Sequence, residues 1–224
     1  MDLTLNSTII GSDGSEFGLD DVVIDPLSRT VTHVVLTHRR GHNTQRLVPA
    51  ADLDIGADRA RVSCNEASFG DYPMVQEWDY VRFGEFPVAE PGWATGIEHV
   101  YGTAYYGADF ANGWDDDQYT LGWHRIPAGE VEIRRRSTVR GSDGREVGTV
   151  EGFVCDDTHH VTHLVLEHGR FFGHRDITIP IGQVARLEND EVHLEMGEDE
   201  IRELPSVVVH PWSHKRSPAS GQSE

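Results

Sequence analysis

Thirteen histidines make a metal or proton-transfer site the first chemistry to look for. His33 and His38 lie in VTHVVLTH at residues 31–38, and His163 and His168 keep the same spacing in VTHLVLEH at residues 161–168. In a strand an odd separation sends two side chains to opposite faces, so neither pair can share an ion. His159 and His163 fall on one face, but four residues of strand hold them roughly 13 Å apart, several times a ligand-to-zinc distance. The arrangement left is His33 with His163, each on the same face as two valines (Val31 and Val35, Val161 and Val165). They are candidate interface residues at a joint between two halves of the chain. If they meet there, protonation places two positive charges together and loosens the joint below about pH 6.5. The plainer alternative is two core or interface histidines, each hydrogen-bonded through one ring nitrogen.

Other motifs point to structure. GSDG occurs at 11–14 and at 141–144. A phosphate cradle needs a following helix whose N-terminus faces the anion; here a strand follows, and the glycines suit a hairpin turn. Asp115-Asp116-Asp117 lacks the alternating acids and bidentate Glu of a calcium loop and reads as a solvated acidic loop. Arg134-Arg135-Arg136 is split by strand alternation between two faces and reads as a charged rim that pairs with acids. There is no nucleophile elbow, CxxC or zincin helix, so no catalytic residue, metal or cofactor is expected.

The elements that carry these residues are written twice. Thr8, Gly11, Ser12, Asp13, Gly14, Glu16 and Gly18 match Thr138, Gly141, Ser142, Asp143, Gly144, Glu146 and Gly148 at one constant offset, which continues into the two histidine segments. One supersecondary unit used twice is the reading. In the first copy, strands are expected around Leu3 to Ile10, Val22-Val23-Ile24, Val31 to Thr37, Leu47-Val48-Pro49 and Arg61-Val62-Ser63. The second repeats the plan with Val131 to Arg140, Val147 to Cys155, Val161 to Glu167, Thr178-Ile179-Pro180 and Val192-His193-Leu194. A short helix is expected to end each copy, at 197–205 and at 65–73, with Phe69 and Tyr72 in the places of Ile201 and Leu204. Short strands with Gly and Pro turns predict an all-β fold of two small barrels, closed so that no edge is left exposed. Residues 1–73 and 131–208 are the two domains and 209–224 a disordered tail. The intervening 74–130 holds Trp78, Trp93, Trp114 and Trp123 among many glycines. It reads as an aromatic segment without long strands, draped over a barrel.

The chain of 224 residues carries a formal net charge of -19, which opposes direct binding of nucleic acid and favours a basic protein partner. Units of roughly 70 residues are marginal alone, so the halves are expected to pack on each other or to oligomerise. Cys64 and Cys155 stand at non-equivalent places, unlike a disulfide framework. No apolar run approaches the ~20 residues that cross a bilayer, and the start lacks a cleavable signal, so a cytoplasmic protein is expected.

The run GSDGREVGTVEGFVCDD, VTHLVLEHG, FFGHRD, TIPIGQV and NDEVHLEM resembles the PRC-barrel domain, the small β-barrel of the photosynthetic reaction-centre H subunit and of the C-terminal half of RimM-type factors. The resemblance covers both copies, and the whole arrangement looks like bacterial proteins with tandem PRC barrels. It implies a platform for protein contacts with no catalytic set to carry over. The expected function is a non-enzymatic protein-binding scaffold or adaptor, with Trp93, Trp114 and Trp123 as candidate partner-binding residues. Alternatives are a ribosome-associated assembly factor that meets a basic ribosomal protein, a soluble accessory protein like the H subunit, and a metal-dependent enzyme with its site between the barrels. The membrane helix of the H subunit is missing here, and the first domain differs from that of RimM-type factors.

Overall fold

A computed structural model describes residues 2–39, 44–55, 60–82, 91–101, 118–168 and 175–205. Trp114, Asp115-Asp116-Asp117 and the tail at 209–224 lie outside the described residues, as does the side chain of His168. The fold is all-β with one short helix. Its strands are β1 (Asp2–Thr4), β2 (Thr8–Ile10), β3 (Glu16–Asp25), β4 (Thr30–His38), β5 (Gln45–Pro49), β6 (Leu53–Ile55), β7 (Ala60–Val62), β8 (Gln76–Arg82), β9 (Trp93–Tyr101), β10 (Gln118–Pro127), β11 (Val131–Arg134), β12 (Thr138–Arg140), β13 (Glu146–Cys155), β14 (Val161–His168), β15 (Arg175–Pro180), β16 (Val184–Glu188) and β17 (Glu191–Leu194).

Two seven-stranded sheets share one strand order. The first runs β5-β4-β3-β2-β7-β6 and the second β15-β14-β13-β12-β17-β16. In each, the GSDG turn joins two antiparallel strands, with Gly14 at φ 86° and Gly144 at φ 77°, the left-handed backbone that glycine adopts without a Cβ clash. The order is an open path. Among the described residues no ladder joins β5 to β6 or β15 to β16, so closure by hydrogen bonds, expected from the short strands, is not what holds the edges.

The seventh strand of each sheet comes from the other half. β1 pairs antiparallel with β13, Leu3 opposite Phe153, and β11 pairs antiparallel with β3, Ile133 opposite Val22. A continuous strand over 131–140 was expected; instead Arg136 at φ 71° breaks it, so β11 serves the first sheet and β12 the second. Asn6 at φ 62° makes the same break between β1 and β2. One apolar core runs through both halves, from Leu3, Ile9, Phe17 and Leu36 to Ile133, Phe153, Leu164 and Val192. The hairpin loops also meet. Thr30 bridges His160, Val31 N–H donates to His159 O at 2.9 Å, and Val161 N–H donates to Arg29 O at 2.8 Å.

The segment 74–130 departs most from expectation. β8, β10 and β9 form a three-stranded antiparallel sheet with strands of seven to ten residues. Aromatic residues favour strands strongly, and one glycine falls where a neighbour approaches: a Cβ on Gly96 would collide with the Glu132 carboxylate. This third sheet is bound to the first by a separate apolar cluster of Val23, Val35, Leu47, Val75 and Ile126, and by Val75 N–H, just before β8, donating to Gln45 O of β5 at 3.2 Å. Burying side chains of this size contributes about 1.5–3 kcal/mol each, enough to make the segment part of the body.

The halves end differently. The second closes with α1 (Glu198–Glu203), its first turn acidic, which suits the positive end of the helix dipole. The first has only a 3-10 turn at Phe69–Asp71. Phe69 and Ile201 are nevertheless both in the core, with Tyr72 and Leu204 packed against it. Cys64 and Cys155 are both buried and are not joined in a disulfide.

Candidate functional site

The two candidate histidines are placed apart. A bulge at Thr32 in the β3–β4 ladder, and another at Thr162 in β13–β14, shifts the alternation. Val31 and Val161 therefore face the core, while His33 and His163 stay with Val35 and Val165. His33 Nδ1 lies 3.1 Å from Thr32 Oγ1 and 3.6 Å from Glu130; His163 Nδ1 lies 3.1 Å from Thr162 Oγ1. The antiparallel bridge between Thr30 and His160 sends β4 and β14 away in opposite directions. Three residues on along each strand, His33 and His163 are roughly 20 Å apart.

The titratable groups that do converge lie where three sheets meet. Asp21 is on β3, His124 on β10 and Glu132 on the exchanged strand β11. They are 4 %, 6 % and 0 % exposed. Alternation along β10 turns Gly122, His124 and Ile126 inward, and the β11–β3 register puts Glu132 opposite Val23 and diagonal to Asp21. His124 Nδ1 is 2.7 Å from Glu132 Oε1 and 3.9 Å from Asp21 Oδ2. Ile97 N–H donates to Glu132 Oε2 at 3.1 Å. Burial pushes the Asp21 carboxyl well above the usual carboxylate range, and the charges of Glu132 and Asp20 add to this while Arg134 opposes it. One ligand atom from each residue falls within 4.8 Å of the others, a spacing that can hold a metal.

Asn189, in the turn between β16 and β17, locks the surroundings. Its Oδ1 accepts Glu132 N–H at 2.9 Å, and its amide nitrogen donates to Thr95 O at 3.1 Å and Gly96 O at 3.2 Å. One side chain therefore joins the second sheet, β11 and β9. Sequence spacing could not find this group, since its members come from strands with no local relation. One signal was present: Asp21 and Glu132 are acids inside the apolar runs LDDVVI and VEI.

The opposite face of β10 holds Trp123, while Trp93 stands at the start of β9, partly packed against the cluster that joins the first and third sheets. Leu121, Trp123 and Arg125 alternate with the inward set and are half-buried. The Arg125 guanidinium sits 4.4 Å from the centre of the Trp93 ring and 2.7 Å from Glu77. Cation–π contacts of this kind contribute about 0.5–1 kcal/mol at partly exposed sites. The arginine run at 134–136 is engaged as a rim, Arg134 with Asp190 at 2.5 Å and Arg135 with Glu151 at 3.0 Å. Among the described residues no helix is long and apolar enough to cross a membrane.

No curated protein matches the chain. The family model described as PRC-barrel domain matches residues 135–201 alone, from the turn before β12 into α1. The strand order, the GSDG turn and the terminal helix of the second sheet are thus those of a recognised module, and the chain carries a PRC-barrel domain over these residues.

Proposed function

We propose that the protein is a non-enzymatic adaptor that binds a protein partner on the outer face of the third sheet. A PRC-barrel domain supports a small protein-interaction module. The observation that carries the reading is the alternation along β10, which buries His124 and Ile126 and turns Trp123 and Arg125 outward beside Trp93. Aromatic residues and arginine dominate interface energetics because they bring large, rigid area with a polar edge. The charge of -19 favours a basic partner.

The test is affinity capture from the native cell with the wild type and with Trp93→Ala/Trp123→Ala. The expected result is loss of one or a few proteins from the captured set, with the melting temperature changed by only a few degrees. Identical sets from both proteins would remove this face from the account.

A further inference from the structure

Asp21, His124 and Glu132 concentrate ionisable groups in the interior. Two carboxyl groups and an imidazole, each able to ionise, lie in a place at most 6 % exposed. Burying even one such ion costs several kcal/mol unless it is compensated. Glu132 receives the Ile97 N–H and faces His124. Asp21 is 4 % exposed; its carboxyl meets that of Glu132, and the His124 nitrogen lies 3.9 Å away. Arg134, two residues beyond Glu132 on the same face of β11, is turned to Asp190 at 2.5 Å. Two carboxyl groups and an imidazole nitrogen thus converge on one buried point, one ligand atom from each within 4.8 Å of the others.

We propose that these three side chains bind one divalent transition-metal cation, zinc being the ion that one nitrogen and two carboxylate oxygens suit best. Ligand atoms about 2.1 Å from a tetrahedral zinc stand about 3.4 Å from one another, and the distances of 2.7 and 3.9 Å around His124 Nδ1 bracket that value. Magnesium prefers oxygen and keeps several waters, which a site this dry does not favour. The supporting shell is in place: the Ile97 amide orients Glu132, Asn189 fixes the β11 backbone that carries it, and Gly96 leaves room for its carboxylate. Such partners hold ligands in position at metal centres. The ion is structural, because its ligands come from three strands in two sheets and clamp the third sheet and the exchanged strand to the first. The proposal is independent of the partner reading, since His124 and Trp123 lie on opposite faces of β10.

The full chain, stripped with a chelator and dialysed, is titrated with Zn²⁺ and with Mg²⁺ by calorimetry and by thermal melts. One equivalent of Zn²⁺ should bind per chain and raise the melting temperature by roughly 5–10 °C at a hundredfold excess over Kd, with no comparable response to Mg²⁺. Asp21→Asn should weaken Zn²⁺ binding at least tenfold, and Glu132→Gln, which keeps an acceptor for Ile97, should do the same. Should either variant fail to fold, imidazole nitrogen resonances of the wild type carry the test: Zn²⁺ must shift His124. No response in the wild type, a response to Mg²⁺ alone, unchanged binding in Asp21→Asn, or an unmoved His124 would each overturn the proposal and leave the triad as a proton-sharing group.

Discussion

Arg29 and His159 occupy equivalent places in the two halves, and each gives its backbone carbonyl to the other's strand: His159 O accepts Val31 N–H at 2.9 Å and Arg29 O accepts Val161 N–H at 2.8 Å. Both are left-handed, at φ 56° and 63°. Their side chains part company. The Arg29 guanidinium donates to Ile181 O at 2.8 Å and Val184 O at 3.0 Å, while His159 Nε2 is buried with no hydrogen-bond partner among the described residues.

Arg29→Ala removes two charge-assisted bonds to backbone carbonyls and should cost about 2–4 kcal/mol, a fall in melting temperature of roughly 5–15 °C. Arg29→Gly loses the same bonds but relieves the left-handed backbone, recovering about 1 kcal/mol. His159→Asn, which tolerates this conformation and deletes the orphaned ring nitrogen, should melt at or above the wild type. Calorimetric melts of the three variants check the ordering.

The exchanged strands make damage cross between the halves. Leu3→Ala should cost about 2–5 kcal/mol and speed amide exchange in β13 of the second sheet. Ile133→Ala should do so in β3 of the first. Hydrogen exchange resolved by residue reads this directly, and protection lost only within the mutated half would contradict the ladders.

Gly96→Ala and Gly14→Ala separate two uses of glycine. At Gly96 a Cβ meets the Glu132 carboxylate, with Ile126 Cγ2 at 3.2 Å, so the variant should lose about 1–3 kcal/mol by overpacking and move the His124 imidazole resonances. At Gly14 nothing lies within 4 Å. Only the backbone at φ 86° objects, and about 1–2 kcal/mol should go without change at His124.

The Asp13 carboxyl is lowered to about 2 by the Ser15 hydroxyl, then by the Ser15 and Glu66 amides. A group depressed in the folded state contributes its stability in full above the unfolded value near 3.8 and loses it as pH falls towards 2. Asp13→Ala should therefore flatten the stability profile across that interval and leave its shape above pH 5 unchanged. Denaturant midpoints measured from pH 2 to 6 check it.

Much of this architecture was legible where it depended on local pattern. The alternation in VTHVVLTH and VTHLVLEH gave β4 and β14, and the GSDG glycines gave the turns. The proline after Ile24-Asp25 marked the end of β3. What was not legible depends on distant partners. Bulges at Thr32 and Thr162 moved two valines across the sheet, which no periodic count anticipates. Nothing local to Asp2–Thr4 or Val131–Arg134 says that each pairs in the other sheet, because strands this short take their register from the cores they cover. The third sheet was misread because glycine was weighed above aromatic strand preference, when Gly96 sits inside a strand and serves close approach to Glu132. Asp21, His124 and Glu132 come together only once these three misreadings are put right.

The loan of β11 to the first sheet also sets a clock. On a ribosome adding ~5–20 residues per second, the edge of β3 at Asp21 to Ile24 is made about a hundred residues before the strand that covers it. It therefore stands bare for roughly 5–20 s in every nascent chain. An uncovered β-edge is a template for the wrong neighbour, so crowded polysomes put this polypeptide at its greatest risk of sticking to its own copies before release.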